Sequence, residues 1–201
     1  KFKIYNLLCD HPPIVAVGPH AGDPHYDPPS RSSALIKGGS LLLIDIWAKS
    51  SRKEAIYADI TWTGFVGKQV PTRYLQVFGV VRRARDRAVE FLQTQLSKGK
   101  TVQGWEVDQE TRKVVERAGY GPNFIHRTGH SIGKEVHGNG ANMDGFETWE
   151  TRKVMPETLF SIEPGIYLKE FGIRSEINVL ATARGAKITS LPVQTTLKAI
   201  L

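Results

Sequence analysis

The chain has 201 residues, enough for one domain with a sizeable hydrophobic core. Hydrophobic residues make up 40% and charged residues 23%, an ordinary globular balance, and the most apolar run, LLLID at 41–45, is too short to cross a membrane. The single Cys9 excludes a disulfide framework and a cysteine-based zinc site, and it favours a reducing, cytoplasmic setting. The net charge is +7, but the basic residues are scattered and do not alternate with aromatic residues, which argues against a nucleic-acid partner.

The first part of the chain predicts strands that follow a long polar loop. Residues 10–30 are rich in proline, aspartate and histidine, and only IVAV at 14–17 is typical of a strand. A loop of this length in a compact domain is more often functional than idle. The apolar segment 41–48 and the β-branched, aromatic segment 56–63 predict two more strands, with a turn at KSSRKEA between them.

The rest of the chain predicts two helices and then two strands. Apolar residues recur at three- and four-residue spacing over 72–98 and again over 105–118, and a glycine follows each helix. Segments 159–168 and 172–181 predict two strands joined by the short turn KEF. This order of elements predicts an α+β fold in which an antiparallel sheet is covered by helices.

Four acidic residues lie inside the most apolar predicted strands. They are Asp45 in LLLIDIW, Asp59 in IYADITW, Glu163 in FSIEPGIY and Glu176 in IRSEINV. A buried, unpaired carboxylate is costly, so such groups are paired or bind metal. One such acid is equally well explained by a structural role. Four of them, together with His130, predict convergence on a common cation.

The segment HRTGHSIGKEVH at 126–137 holds three of the six histidines. By itself it fits either a metal site with proton-handling groups or a polar loop. Four carboxylates and one imidazole form an oxygen-rich ligand set that suits Mn²⁺ and also accepts Co²⁺, Fe²⁺ or Zn²⁺. Two divalent ions roughly neutralise four carboxylates, so the set predicts a two-metal site of the kind that supports hydrolysis.

Strand alternation predicts two side chains that support this site. Arg174 and Glu176 are two residues apart, as are Asp59 and Thr61, so each pair is expected on one face of the sheet. Arg174 then either orients a ligating carboxylate, contacts the substrate or forms a plain salt bridge. The Thr61 hydroxyl is expected to support the site.

Taken in order, IDIW, ADITWT, HRTGHSIGKEVH, FSIEPGIY and GIRSEINV resemble the pita-bread metallopeptidases, which include Xaa-Pro aminopeptidases, prolidases and methionine aminopeptidases. The resemblance extends over nearly the whole chain, and the arginine of GIRSE is similar to that of the proline-directed branch. It implies a pita-bread fold and a single metallopeptidase catalytic domain over 1–201. It also implies N-terminal truncation, with an opening helix and an N-terminal lobe expected to be missing.

The resemblance further implies a role for each site residue. The implied metal ligands are Asp45 at one metal, Asp59 and Glu176 bridging both, and His130 and Glu163 at the second. The implied catalytic or substrate-contacting residues are His25, His126, His137, Glu163 and Arg174. The implied reaction is hydrolysis of the bond between an N-terminal residue and proline in a peptide or dipeptide, by a hydroxide that bridges two divalent ions, with Mn²⁺ expected first.

Two departures from the family pattern leave details open. Asp45 and Asp59 are 14 residues apart, a longer spacing than in the family, so we expect an insertion at KSSRKEA. GNG follows His137 where relatives place an acid, which leaves substrate preference open. Three alternatives remain: a metal-free hydrolase of the creatinase type, a non-catalytic module that binds RNA or protein, and a catalytic domain inactive when truncated. Homodimerisation is also left open.

Overall fold

The computed structural model describes residues 2–29 and 33–200. Two α-helices lie near the middle of the chain, α1 (Thr72–Ser97) and α2 (Gly104–Arg117). Short 3₁₀ turns occur at Phe2–Tyr5, Gly18–Gly22 and Gly121–Asn123. The strands are β1 (Leu7–Leu8), β2 (Ile14–Val17), β3 (Leu41–Ser50), β4 (Ala58–Phe65), β5 (Ser131–Ile132), β6 (Leu159–Ile162), β7 (Gly165–Tyr167), β8 (Gly172–Arg174), β9 (Ile177–Thr182), β10 (Gly185–Ile188) and β11 (Lys198–Ala199). Within the described ranges, no helix has the length and apolar character needed to cross a membrane.

The long antiparallel hairpin of β3 and β4 is the centre of the first sheet. β1 and β2 pair with β3, and β11 lies parallel to β4, whereas the other strand pairs described are antiparallel. In the hairpin register, Asp45 faces Thr61 and Trp47 faces Asp59. Because side chains alternate between the faces of a strand, these four residues share one face of the sheet.

The remaining strands form a four-stranded sheet in the order β10-β9-β6-β5 and a two-stranded sheet of β7 and β8. Helix α1 packs on α2 and on both of these sheets, and its side chains contribute to two hydrophobic clusters. Its fully buried residues are Val77, Val81, Ala84, Ala88 and Leu92, at the three- and four-residue spacing read from the sequence. The predicted antiparallel sheet covered by helices is therefore confirmed.

The two predicted strands over 159–168 and 172–181 are wrong in one respect, because each is divided in two. The first breaks at Glu163 and Pro164 and the second at Ser175 and Glu176. At the breaks the backbone bonds to other parts of the chain: the Glu163 N–H donates to the Thr128 carbonyl at 2.7 Å, and the Glu176 N–H donates to the Thr61 carbonyl at 3.1 Å. Glu163 and Glu176 thus lie between strands, not inside them.

Other boundaries differ little from the predicted ones. Each helix is displaced by about one residue, as is usual at helix ends. β4 begins and ends two residues later than predicted, which leaves 51–57 as the turn after β3. The short strands β1, β5, β10 and β11 were not predicted, because two to four residues carry too little periodicity to be recognised.

Candidate metal centre

All of the predicted site residues lie around one cavity, whose volume is about 260 Å³. They are His25, Asp45, Asp59, His126, His130, His137, Glu163, Arg174 and Glu176. The hairpin of β3 and β4 supplies two of the acids, and the breaks after β6 and β8 supply the other two. Glu163 and Glu176 thus reach the cavity from positions between strands.

Asp59, His130 and Glu176 form the centre of the cluster. One ligand atom from each lies within 4.8 Å of the others, and all three residues are buried. His130 Nε2 is 3.5 Å from Asp59 Oδ2 and 3.5 Å from Glu163 Oε1. Its Nδ1 is 3.1 Å from the Ser131 carbonyl, which only accepts, so Nδ1 carries a proton. Nε2 is therefore the nitrogen that faces the carboxylates, as in a metal-binding histidine.

Burial and neighbouring charges shift the pKa values of the residues in this cluster. Burial raises the pKa of Asp45 and of Glu163, and burial together with the charge of Asp59 raises the pKa of Glu176 well above its ordinary value. Burial lowers the pKa of His130, but the hydrogen bond with Asp59 and the charge of Glu163 outweigh it, so the net pKa is raised. These shifts follow from the burial of several carboxylates close to one another.

Three carboxylate oxygens of the cluster show where a cation fits. Asp45 Oδ1, Asp59 Oδ1 and Glu176 Oε1 are buried, and none has a hydrogen-bond partner within the described residues. Buried polar atoms are normally satisfied, so three such oxygens around one cavity are exceptional. Divalent metal ions bind carboxylate oxygen and imidazole nitrogen, and the residues present therefore fit such an ion.

Arg174 and Thr61 support the carboxylates. Arg174 Nε donates to Thr61 Oγ1 at 3.0 Å, and this hydroxyl donates to Glu176 Oε2 at 2.8 Å. Arg174 Nη2 also donates to Asp45 Oδ2. Burial opposes the charge of Arg174, but Tyr167 and Asp45 beside it raise its pKa well above the ordinary value. Arg174 and Glu176 both line the cavity, as predicted. The prediction assumed one continuous strand through both residues, whereas the strand ends at Arg174.

His126 lines the cavity, and its ring is held by contacts within the protein. Its Nδ1 contacts the Arg127 carbonyl at 2.7 Å, and its Nε2 contacts the Tyr167 hydroxyl at 2.8 Å. Burial, followed by the charge of Arg174, lowers the pKa of His126 to about 3, so its ring is neutral. Both ring nitrogens of His126 thus contact other groups of the protein.

Tyr167 was missed by the sequence analysis. Its hydroxyl joins His126 to Arg174, with 3.4 Å to Arg174 Nη1, and burial raises its pKa to about 12. In the sequence it is the last residue of EPGIY and looks like any strand aromatic. Only its partners in space distinguish it.

The mouth of the cavity holds the remaining histidines and an apolar wall. His25 and His137 are exposed, and the His137 ring meets the His130 ring edge-on at 4.3 Å between centroids. Burial of its ring and the charge of His130 lower the pKa of His137. Further lining residues that the sequence analysis did not assign are Ile14, Pro24, Trp47, Arg127, Val136 and Glu147. The cavity thus joins an acidic floor to a partly apolar, exposed rim.

Comparison with known proteins identifies the family of this chain. The sequence profile of metallopeptidase family M24 matches residues 4–183. The chain belongs to metallopeptidase family M24. The family expected from the resemblance is therefore confirmed.

Named relatives within this M24 family match most of the chain. A probable dipeptidase PepE of Mycobacterium tuberculosis is 32% identical over 174 residues, and a Xaa-Pro dipeptidase of Pyrococcus furiosus is 31% identical over 175 residues. These matches cover 86% and 87% of this chain but 42% and 45% of the relatives. The chain thus spans less than half the length of the curated relatives it matches.

Solved structures of the M24 fold are also similar. A dipeptidase from Pyrococcus horikoshii matches with a TM-score of 0.78 at 28% identity, over 94% of this chain and 48% of that one. An X-Pro aminopeptidase from Thermotoga maritima matches with a TM-score of 0.77 at 29% identity, over 94% of this chain and 49% of that one. The expected pita-bread fold is confirmed by these similarities.

Proposed function

We propose that this chain carries out metal-dependent hydrolysis of the peptide bond between an N-terminal residue and proline, as a Xaa-Pro dipeptidase or Xaa-Pro aminopeptidase. The observation that carries the proposal is that ligand atoms of Asp59, His130 and Glu176 lie within 4.8 Å of one another in a cavity that Asp45 also lines. Asp45, Asp59 and Glu176 each have a buried oxygen that no described residue satisfies. The names of the relatives and the arginine of GIRSE support the proline-directed branch. We further propose that residues 1–201 act as a single catalytic domain.

The proposed cofactor is a pair of divalent ions, with Mn²⁺ first and Co²⁺, Zn²⁺ or Fe²⁺ as substitutes. Their proposed ligands are Asp45, Asp59, His130, Glu163 and Glu176. Bound divalent ions would lower the pKa of a coordinated water towards neutrality and polarise the scissile carbonyl group. Two ions are proposed because four carboxylates exceed the charge of one, and burial leaves little water to screen them.

Glu163 is the proposed proton carrier. Its Oε1 accepts a hydrogen bond from Ser161 Oγ at 3.2 Å, and burial raises its pKa above the ordinary value, which favours uptake of a proton. We assign to it the transfer of a proton from the attacking water to the leaving proline nitrogen. The neighbouring charges of His130 and Arg174 favour return to the ionised form afterwards.

His137 is assigned a contact to the substrate backbone. His137 is exposed at the mouth and has a ring free to donate to the substrate carbonyl oxygen. His126 also lines the cavity and is proposed to assist in the same way, with its ring held by the Tyr167 hydroxyl. His25, also exposed, is proposed to contact the substrate at the rim. A cytoplasmic location and a homodimer stay predictions.

A non-catalytic or metal-free role on the same fold was the alternative. Such a protein is expected to have lost ligand positions, whereas all five proposed ligands, four acids and one histidine, line the cavity of this chain. No contact among the described residues favours the alternative.

The test is metal content and peptide hydrolysis measured together. Asp59→Asn and His130→Gln are expected to lose Mn²⁺ by mass spectrometry and to reduce hydrolysis of Ala-Pro to background, because each removes a proposed ligand. Glu116→Gln, an exposed change on α2, is the matched control. Full Ala-Pro hydrolysis by either ligand variant would rule out the proposed centre, and equal hydrolysis of Ala-Ala and Ala-Pro would rule out the proline specificity.

A further inference from the structure

Two arginines line the cavity, and they differ in how far they are engaged. Arg174 is buried and bonds to Asp45, Thr61 and Tyr167. Arg127 lies next to His126, and its side chain keeps 25% of its surface exposed. Among the lysines and arginines of residues 2–29 and 33–200, these two alone line the cavity. Arg127 is therefore the basic side chain that a ligand can reach.

The backbone of Arg127 is fixed on both sides. Its N–H donates to Glu147 Oε1 at 3.0 Å, and its carbonyl oxygen accepts from His126 Nδ1 at 2.7 Å. Glu147 also lines the cavity, so the position of Arg127 is set by two other residues of the same site. A fixed backbone reduces the entropy lost when the side chain binds a ligand.

The guanidinium group of Arg127 is held much less firmly. Its contact with a described carboxylate is Nη1 to Glu147 Oε2 at 3.5 Å, and the Glu147 side chain is 40% exposed. An exposed ion pair at this distance contributes little. A guanidinium has five N–H donors, so most of those on Arg127 remain for a ligand.

The size and charge of the cavity restrict that ligand. Its volume of about 260 Å³ lies just below the ~300–1,000 Å³ typical of small-molecule sites. Asp45, Asp59, Glu163 and Glu176 repel an anionic group everywhere except beside a cation. A planar guanidinium at the rim binds a carboxylate through two parallel hydrogen bonds.

We propose that Arg127 binds the C-terminal carboxylate of a Xaa-Pro dipeptide, and that this contact makes the site a dipeptidase site in preference to one for longer peptides. The inference rests on the proposed function. Glu147 keeps the Arg127 backbone in place and releases the guanidinium when the substrate carboxylate arrives. A tripeptide, or a dipeptide with an amide terminus, lacks the carboxylate at that position.

The experiment compares substrates that differ only at the C-terminus. The Mn²⁺-loaded 201-residue chain, Arg127→Gln and Arg127→Lys are assayed with Ala-Pro, Ala-Pro amide and Ala-Pro-Ala. We expect Arg127→Gln to raise KM for Ala-Pro by about 10-fold or more, the effect of losing a charge-assisted hydrogen bond. The KM of Arg127→Gln for Ala-Pro amide should stay within about twofold of the value for the unchanged chain, because this substrate lacks the carboxylate that Arg127 is proposed to bind. Arg127→Lys should recover part of the loss, because it restores the charge without the planar fork.

Arg117→Gln, an exposed change on α2, is the control and should match the unchanged chain on every substrate. A merely structural role for Arg127 would raise KM or lower kcat equally for Ala-Pro and Ala-Pro amide, and that result overturns the inference. Equal kcat/KM of the unchanged chain for the dipeptide and its amide overturns it as well.

Calorimetry separates this inference from the proposed function. If the unchanged chain cleaves no Xaa-Pro peptide, the proposed function fails, yet Ala-Pro and Ala-Pro amide binding can still be measured. Tighter binding of Ala-Pro than of its amide, lost in Arg127→Gln, supports the carboxylate contact. Equal binding of the two ligands, or binding of neither, overturns it.

Discussion

Thr61 on β4 and Arg174 at the end of β8 are joined by a hydrogen bond of 3.0 Å from the guanidinium Nε to the threonine hydroxyl. The same hydroxyl uses its one hydrogen on Glu176 Oε2 at 2.8 Å. The neutral Thr61 side chain therefore orients both the buried guanidinium group of Arg174 and the proposed metal ligand Glu176. Neither charged group can lose Thr61 without being left partly unsatisfied.

Thr61→Val removes this hydroxyl and leaves the side-chain volume nearly unchanged. We expect Mn²⁺ affinity or Ala-Pro hydrolysis to fall about 10–100-fold, the usual effect of losing a group that orients a metal ligand. Thr63→Val is the matched control, because Thr63 is also buried and its hydroxyl donates to the Arg174 carbonyl at 2.8 Å. Both variants should lose stability, but only Thr61→Val should lose metal. Equal Mn²⁺ affinity in the two variants would contradict the role given to Thr61.

The histidine segment is tied to α2 by Asp108. This carboxylate is fully buried, accepts from the Thr128 N–H at 2.8 Å and from the Thr128 hydroxyl at 2.7 Å, and pairs with Arg112 Nε at 2.6 Å. Asp108→Asn keeps most of the size but loses the charge, so we expect unfolding to become easier by about 1–3 kcal/mol in urea denaturation. Glu170→Gln, which breaks the exposed pair with Arg73, should change stability by less than about 1 kcal/mol. A similar effect in both variants would contradict the prediction.

Acidic residues that lie among large apolar residues could be recognised from the sequence alone. Asp45 and Asp59 could be predicted because a carboxylate among large apolar residues is unfavourable unless it is paired or bound. Asp59 and Thr61 lie on one face of the sheet, as predicted, because β4 is a regular strand through both positions. The helices were predicted because α1 repeats its apolar face over 26 residues.

Other features depend on partners that the sequence does not reveal. At the breaks, the N–H groups of Glu163 and Glu176 bond to Thr128 and Thr61. Pro164 is a local sign of the first break, because proline cannot donate to a strand ladder, whereas the second segment contains no such sign. Tyr167 gains its position from His126, 41 residues earlier in the chain. Contacts of this kind become visible only when the chain is folded.

Acid should weaken the loop that closes over the amino end of α2. Glu150 accepts hydrogen bonds from the Arg152 guanidinium group and from the N–H groups of Arg152 and Asn142, and the guanidinium bond contributes most to lowering the Glu150 pKa to about 2. The folded protein keeps this group ionised while the unfolded chain takes up a proton near its ordinary pKa of 4.5. Its stabilisation is therefore complete above about pH 4.5 and is lost as the pH falls towards about 2.

Glu150→Gln is expected to flatten the dependence of the unfolding free energy on pH between 4.5 and 2, measured by denaturation at several pH values. Arg152→Gln removes the same pair from the other side and should flatten it as well. A slope in both variants as steep as in the unchanged chain would show that Glu150 does not carry this pH dependence.

Gly129, between His126 and His130, allows the histidine segment to lie directly on β6. A Cβ at this position would come within 1.9 Å of the Ser161 carbonyl oxygen, which belongs to the strand and cannot move away freely. We expect Gly129→Ala to destabilise the protein by at least about 1–3 kcal/mol, the range for overpacking, and to weaken Mn²⁺ binding because His130 is displaced from Asp59. Gly133→Ala is the matched control, since its Cβ would meet nothing closer than 3.9 Å and its stability should change by about 0.5 kcal/mol or less. Denaturation and metal titration of both variants test this, and normal Mn²⁺ binding by Gly129→Ala would mean that the position of His130 does not depend on the contact between Gly129 and β6.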